Sequence, residues 1–412
     1  MYRKLNILGN PLKKKKILFI EIFFIISLIC FNLGINEASI LFTIFVFFSQ
    51  INNLKIPKNI FLFFGVLLIS GPLLSFFYSN YLNISSDFHQ SIFIRVRFFV
   101  IQILYSFSVA IFLIKIDKIR ILYLLYIFAM INLIVGIIQL NYQIFFSTFS
   151  RLPMLTSEPS SIAMFYVFAV PLLLLYLNYY KSAKKGVWSF IIIGIFIASK
   201  AQILIFLFWL TIFLLRKKTM KKAIILFFIL FIIVFFAGKY FLQINQLNSL
   251  IRFVSVSFNE GLSGLNEQNQ IWTSFTFRLS GAMTSLSLFW KYLTGIGFGN
   301  FYPLYIDYMK TSELGQLLSG SEITNVLFYD SYATPKSIFL ELLVSCGVFF
   351  LIPIIFITKR FLKLNLPYLL KVSLVSLLFV SLMVELAPFL TYFSILLVLG
   401  HKFNNTYNPN LI

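Results

Sequence analysis

Long apolar runs, separated only by short basic breaks, follow one another through most of this 412-residue chain. Hydrophobic residues make up 60% of the sequence and charged residues only 11%, and the mean hydropathy is +0.92. Soluble domains do not have this composition, and repeated runs of about 20 apolar residues indicate helices that cross a bilayer. The sequence therefore predicts an all-α, polytopic membrane protein.

About twelve membrane spans can be assigned from the apolar runs. Lysine and arginine concentrate in every second break, and this bias predicts that both termini are cytoplasmic. We expect an N-terminal bundle of about nine helices over 1–242, a large extracytoplasmic loop over 243–336, and about three helices with a short cytoplasmic tail over 337–412. The predicted spans lie near 17–35, 38–54, 59–78, 96–114, 119–140, 160–178, 187–199, 201–215, 223–242, 337–357, 367–385 and 387–400.

The formal net charge of +21 raises the question of a nucleic-acid partner. The basic residues lie mainly at the ends of apolar runs, where they act as topology signals and contact anionic lipids. We therefore expect a lipid bilayer, and no nucleic acid, as a partner. The two cysteines lie within apolar runs and the two histidines are isolated, so we expect neither a disulfide framework nor a metal site.

The stretch 186–215 decides the count of spans. It could form one long helix, but lysine-rich clusters flank it on both sides, and the inside bias favours two short helices with a tip near Ser199-Lys200. A helix of about 14 residues reaches only about 21 Å, less than the hydrocarbon thickness. Lys200 would then lie below the outer surface, beside a water-filled cavity.

Several cations fall on the predicted outer side, against the inside bias. Interfacial snorkelling is one interpretation of Arg95 and Arg97, which open the fourth span. Arginine binds phosphate bidentately and stays charged at every relevant pH, so a cavity with several such residues suits a diphosphate. The outer cations are Arg95, Arg97, Arg151, Lys200, Arg252, Arg278, Lys291 and Lys336.

Three acids lie at or inside predicted spans. Glu158 precedes Pro159 at the start of the sixth span, where it could stabilise the helix N-terminus. It could instead face the arginine residues, and either organise these cations or act as a base on an acceptor hydroxyl. Glu341 and Glu385 are a second kind of candidate, because an acid within a span is a functional-site hypothesis by default. Each of these two could instead pair with a lysine.

A glycine-rich segment, Gly295-Ile296-Gly297-Phe298-Gly299-Asn300, lies inside the long polar interval. Its spacing differs from a dinucleotide fingerprint, and it has no strand–helix unit around it. It could make a tight backbone turn against the membrane, or it could leave backbone N–H groups open for an anion.

Four short motifs together resemble the O-antigen ligase/polymerase superfamily, specifically the Wzy-type polysaccharide polymerases. The segment Thr156-Ser157-Glu158-Pro159-Ser160 resembles the Glu-Pro-Ser signature of the family, and Ser199-Lys200 resembles its short hairpin with a basic residue. Arg278, Trp290 and 295–301 resemble its series of an arginine, a tryptophan and a glycine-rich segment. The segment 335–347, which begins Pro335-Lys336-Ser337, resembles the start of the span after the long loop.

The resemblance implies a GT-C-like, metal-independent glycosyltransferase without a cofactor. Its substrate would be an undecaprenyl-diphosphate-linked oligosaccharide, polymerised into O-antigen, capsular or exopolysaccharide at the outer face of the bacterial cytoplasmic (inner) membrane. A chain-length regulator and a flippase are the expected partners. Glu158 and Arg278 would be catalytic. The diphosphate or glycan would contact Arg95, Arg97, Arg151, Lys200, Arg252, Lys336, Trp290 and Gly297.

Two alternatives to a polymerase stay open. An O-antigen ligase is disfavoured because ligase-like members usually have His-Asn where this chain has Lys336-Ser337. A lipid-linked oligosaccharide flippase would also have about a dozen spans, but it should have two related halves and short loops. No repeat between halves is visible in this sequence, and its long loop is off-centre.

Overall fold

Helices dominate the part of the chain that the computed structural model describes, which is 11–50, 56–82, 86–145, 154–155, 159–194, 273–313, 321–328, 332–384 and 388–406. These residues contain no β-strand. The helices are α1 (Pro11–Asn32), α2 (Asn36–Gln50), α3 (Lys58–Tyr81), α4 (Ser86–Ile114), α5 (Lys118–Phe145), α6 (Pro159–Leu177), α7 (Lys184–Ile193), α8 (Thr273–Lys291), α9 (Phe301–Thr311), α10 (Ser321–Phe328), α11 (Ile338–Cys346), α12 (Val348–Lys363), α13 (Tyr368–Ser381) and α14 (Phe389–Thr406).

Three helical stretches among the described residues are long and apolar enough to cross a membrane: Lys58–Tyr81, Ile92–Ile114 and Lys118–Gln143. Shorter apolar helices cover Phe19–Asn32, Glu37–Ser49, Ser161–Leu177 and Tyr368–Ser381. Large apolar side chains point outward from the long helices, and a bilayer would cover them. The chain thus has the architecture of a helical membrane protein, whereas the count of twelve spans and the GT-C-like fold stay predictions.

Helix α4 lies at the centre of the N-terminal helices and packs against α2, α3 and α14. Aromatic rings fill these contacts, as where the ring of Phe42 lies 5.8 Å from Phe112 and 5.9 Å from Tyr105. Hydroxyl groups also join helices in the buried region, and Ser106 Oγ lies 2.9 Å from Thr391 Oγ1. Such hydrogen bonds hold helices together where lipid removes the hydrophobic drive for association.

The predicted span 337–357 is divided in the structure at Gly347, between α11 and α12. Gly347 has a φ of 54°, and an added Cβ would overlap the backbone of Leu293 and Gly295. The chain turns here because the backbone of another segment occupies the space beside it. The apolar run alone gave no sign of this break.

The described part of the polar interval 243–336 includes the helices α8, α9 and α10. They share a small apolar core that includes Phe277, Tyr305 and Val326. The hydroxyl groups of Ser280 and Tyr305 lie 2.6 Å apart across this core, and burial raises the pKa of Tyr305 to about 12. Helix α8 also packs along α11, which in turn packs against α3.

Candidate functional site

A buried ion pair joins α4 to α11. Arg95 Nε donates to Glu341 Oε1 at 2.7 Å, and Arg95 Nη2 donates to Glu341 Oε2 at 2.6 Å. Only 11% of the Arg95 side chain and 5% of the Glu341 side chain are exposed. A bidentate contact of this kind is strong and directional. Glu341 thus has an arginine partner, where the sequence suggested a lysine as the alternative to a functional role.

Aromatic rings surround the Arg95 guanidinium. Its Cζ atom lies 5.1 Å from the Phe98 ring centroid, 5.2 Å from Phe99 and 5.9 Å from Tyr332. The ring faces stabilise a cation more strongly where water is excluded. Arg95 is therefore a tightly held residue, which differs from the snorkelling side chain that was one interpretation of the sequence.

Helix α11 begins beside this pair with a side-chain cap. Ser337 Oγ accepts a hydrogen bond from Leu340 N at 3.2 Å and donates one to Ser381 O at 3.1 Å. The backbone N–H of Ile338 donates to Val384 O at 2.9 Å. Serine at this position satisfies an otherwise unpaired amide of the first turn. The cap fixes the start of α11 against the end of α13.

Lys336, which precedes the cap, has a left-handed backbone with a φ of 54°. A non-glycine residue holds this conformation only where the surroundings enforce it. Arg278 of α8 supplies part of that enforcement, because its Nη1 donates to Lys336 O at 3.1 Å and to Met383 O at 2.7 Å. The Lys336 ammonium lies 5.5 Å from the ring centroid of Phe277, also on α8.

The structure thus brings three of the predicted cations, Arg95, Arg278 and Lys336, to the start of α11. Arg95 is neutralised by Glu341. Arg278 contacts two carbonyl oxygens and has no carboxylate partner among the described residues. Glu341 lies in the first turn of α11 and offsets the partial positive charge of this helix start. The cations at this place that suit an anion are therefore Arg278 and Lys336.

The glycine-rich segment packs its backbone against three helices. Gly295, Gly297 and Gly299 have φ values of 95°, 84° and 92°. A Cβ at Gly297 would overlap the backbone of α3 at Leu74 and Ser75, and one at Gly299 would lie 2.9 Å from Ile92 Cα of α4. Only glycine combines this conformation with such close approach.

The backbone amides of the same segment are already hydrogen-bonded. Ile296 N donates to Val344 O at 2.9 Å, and Gly297 N donates to Ser345 O at 2.8 Å. These two N–H groups are not open for an anion in this conformation. Of the two interpretations of the glycine cluster, the geometry favours the tight packing turn.

Phe298 and Asn300 fix the segment in place. The Phe298 ring stacks on Phe99 with centroids 4.4 Å apart and an interplanar angle of 9°. Asn300 Nδ2 donates to Ile296 O at 2.6 Å and to Ser75 O at 3.2 Å. The segment therefore links α3 and α4 to α11, and the ion pair of Arg95 lies beside it.

Two other predicted side chains are described, and they lie outside this cluster. Arg97 is exposed on α4, two residues beyond Arg95 and hence on another face of the helix. Trp290 is 72% exposed at the end of α8. The remaining predicted residues, together with the acid Glu385, lie outside the described residues: Arg151, Glu158, Lys200 and Arg252.

Sequence reasoning missed two groups that build this site. It did not assign the helix cap of Ser337, although a serine two residues after a proline and before an apolar run is a usable signal. It also missed the carbonyl of Met383, for which a sequence offers no signal. Within the described residues, no group of three or more His, Cys, Asp or Glu could hold a metal ion.

Comparison with known protein families, with curated proteins and with solved structures found no match for this chain.

Proposed function

We propose that this protein is a membrane glycosyltransferase that polymerises lipid-diphosphate-linked oligosaccharide repeat units into O-antigen, capsular or exopolysaccharide at the outer face of the cytoplasmic membrane. One observation carries the proposal: Arg95, Arg278 and Lys336, far apart in sequence, surround the N-terminus of α11. Arginine and lysine side chains that lie together in a membrane protein suit an anionic, lipid-borne substrate.

The chemistry needs stabilisation of a leaving group. A hydroxyl oxygen of the acceptor glycan attacks the anomeric carbon of the donor, and the bond between that carbon and the diphosphate oxygen breaks. The diphosphate then gains negative charge, which fixed cations stabilise in the transition state. Arg278 and Lys336 supply this charge, while Arg95 is held by Glu341 and maintains the position of α11.

The acceptor hydroxyl must lose its proton in the same reaction. We assign this proton to Glu158, the acid of the segment that resembles the Glu-Pro-Ser signature, because a carboxylate can act as the general base. The proton remains on the protein until water removes it. The balance of the reaction requires neither a redox partner nor a nucleotide.

The test is a gel ladder of surface glycan and lipid-linked intermediates from a strain lacking this chain, complemented with variants. Arg278→Ala should abolish the long ladder while one repeat unit is still displayed outside. Lys291→Ala, an exposed cation on the same helix, is the matched control and should leave the ladder intact. Arg278→Lys keeps a hydrogen-bond donor and the positive charge at this position. The amount of each variant protein in the membrane is measured to exclude simple misfolding.

Other results would point to the alternative functions. Normal long-chain glycan from Arg278→Ala at normal protein level would contradict the site. Repeat units trapped on the inner face in the deletion strain would indicate a flippase. Long glycan that accumulates on the lipid carrier without transfer to its final acceptor would indicate a ligase.

A further inference from the structure

A polar track runs along α5 inside an otherwise apolar helix. Asn132, Gly136 and Gln139 are spaced by four and three residues, so they lie on one face. Asn132 is fully buried and Gln139 is half-buried. Polar side chains within a membrane span are costly, so such residues usually have a specific partner.

The partner of this track is the two-residue segment Met154-Leu155. Gln139 Oε1 accepts a hydrogen bond from Met154 N at 2.9 Å, and Gln139 Nε2 lies 3.3 Å from Met154 O and donates to it. Asn132 Oδ1 accepts one from Leu155 N at 3.4 Å. One amide side chain therefore satisfies both backbone groups of Met154.

The glycine in the track makes room for the methionine side chain. A Cβ at Gly136 would lie 2.7 Å from Met154 Cε, so the side chain rests directly on the helix backbone. Met154 is only 3% exposed. The side chain and both backbone groups of Met154 are thus all held by the same face of α5.

Met154 is also strained, with a φ of 50°. Within the described residues, the only other non-glycine residue with a positive φ is Lys336. Each of the two lies outside the helices and is held by a side chain from a helix, Gln139 of α5 for Met154 and Arg278 of α8 for Lys336. Each also adjoins a segment that the sequence motifs single out, because 156–160 follows Met154 and 335–347 contains Lys336. Strained backbone that is enforced in this way is typical of functional sites.

We infer that Gln139 is a positioning residue, which with Asn132 and Gly136 holds Met154-Leu155 in a fixed turn before α6. This role rests on the proposed function, because the segment directly after the turn carries the motif that implies polymerase activity. Gln139 acts through the backbone of Met154 and does not touch the substrate.

The test combines a labelling rate with a polymer assay. Leu155→Cys reports on the turn through its reaction with a membrane-impermeant thiol reagent, and the chain without this cysteine gives the background from Cys30 and Cys346. Gln139→Leu should raise the labelling rate roughly tenfold, because it removes two hydrogen bonds from Met154. Asn141→Leu changes an exposed amide on the same helix and should leave the rate unchanged.

The polymer assay separates a positioning role from general stability. In the chain with its natural cysteines, Gln139→Leu should shorten or abolish the glycan ladder at normal protein level. Gln139→Glu keeps an oxygen for Met154 N–H and should restore part of it. An unchanged labelling rate in Gln139→Leu would overturn the inference that Gln139 holds Met154-Leu155 in place. A raised rate with a normal ladder would overturn the role in the reaction. If the unaltered chain makes no polymer, the proposed function fails. The labelling rate still shows whether Gln139 holds Met154-Leu155 in place.

Discussion

Two ion pairs among the described residues lie at opposite ends of the helix bundle. Arg95 is in the first turn of the apolar stretch of α4, and about 28 Å of helix separates it from the C-terminus of α4. Arg120 is in the first turn of α5, which begins just after that end. Both arginines bind a glutamate bidentately, Arg95 with Glu341 and Arg120 with Glu21.

The two pairs differ in their access to water. The Arg120 side chain is 45% exposed, whereas the Arg95 side chain is 11% exposed. One aromatic ring, that of Tyr123, lies 5.0 Å from Arg120 Cζ, and three rings lie within 5.9 Å of Arg95 Cζ. Arg120 can therefore keep part of its hydration if its partner is lost, and Arg95 cannot.

The surroundings differ as well. The pair of Glu21 and Arg120 joins α1 to α5 and acts as a brace between them. The pair of Arg95 adjoins a glycine-rich turn, a capped helix start and the strained Lys336. The same ion-pair chemistry thus serves a brace at one end and a candidate site at the other.

The largest expected effect comes from removing the acid of each pair. Glu341→Ala leaves a buried guanidinium without its counter-charge, which costs about 3–5 kcal/mol of unfolding free energy. Glu21→Ala leaves a half-exposed arginine that water and lipid head groups can solvate, so the cost should be about 1 kcal/mol. Thermal unfolding of the purified variants in one detergent measures the difference. Equal losses would show that the two environments do not differ as their exposures indicate.

The glycine turn beside Arg95 gives the next effect. Gly297→Ala should cost about 3 kcal/mol, because a left-handed alanine is strained and its Cβ overlaps the backbone of α3. Gly34 is the matched control, since its φ of 80° is similar but nothing lies within 4 Å of its added Cβ. Gly34→Ala should therefore cost only about 1 kcal/mol. Unfolding in the same detergent compares the two, and a small loss at both positions would contradict the close packing of the turn.

Composition predicted the coarse architecture because burial in lipid imposes a strong, local pattern. Apolar runs of sufficient length identified α3, α4 and α5 as helices that can cross a membrane. The break at Gly347 was not predictable in this way, since its cause is the backbone of Gly295, far away in sequence. Local patterns report on helices, whereas breaks within them depend on tertiary contacts.

The sequence predicted which residues form the candidate site better than it predicted the role of each residue. The inside bias of charge marked Arg95, Arg278 and Lys336 as unusual, and all three lie at the start of α11. The sequence did not reveal that Glu341 neutralises Arg95, nor that Arg278 binds carbonyl oxygens. Gln139 also went unnoticed, because a single amide in an apolar run gives no sign of its partner.

The smallest expected change in stability tests the strain at Lys336. Lys336→Gly relieves the strain of a left-handed backbone, which should raise the unfolding free energy by about 1–2 kcal/mol. It also makes the unfolded chain more flexible, which lowers the unfolding free energy by about 0.5–1 kcal/mol. Loss of the cation–π contact with Phe277 lowers it by about 0.5 kcal/mol more. These effects nearly cancel, so the unfolding free energy should change by less than about 0.5 kcal/mol. Lys310→Gly, within α9 and exposed, has no strain to relieve and should lose about 1 kcal/mol. Equal losses of unfolding free energy in Lys336→Gly and Lys310→Gly would contradict a strained backbone at Lys336. Loss of the glycan ladder with no loss of stability in Lys336→Gly would show that Lys336 contributes to the reaction and not to the stability of the fold.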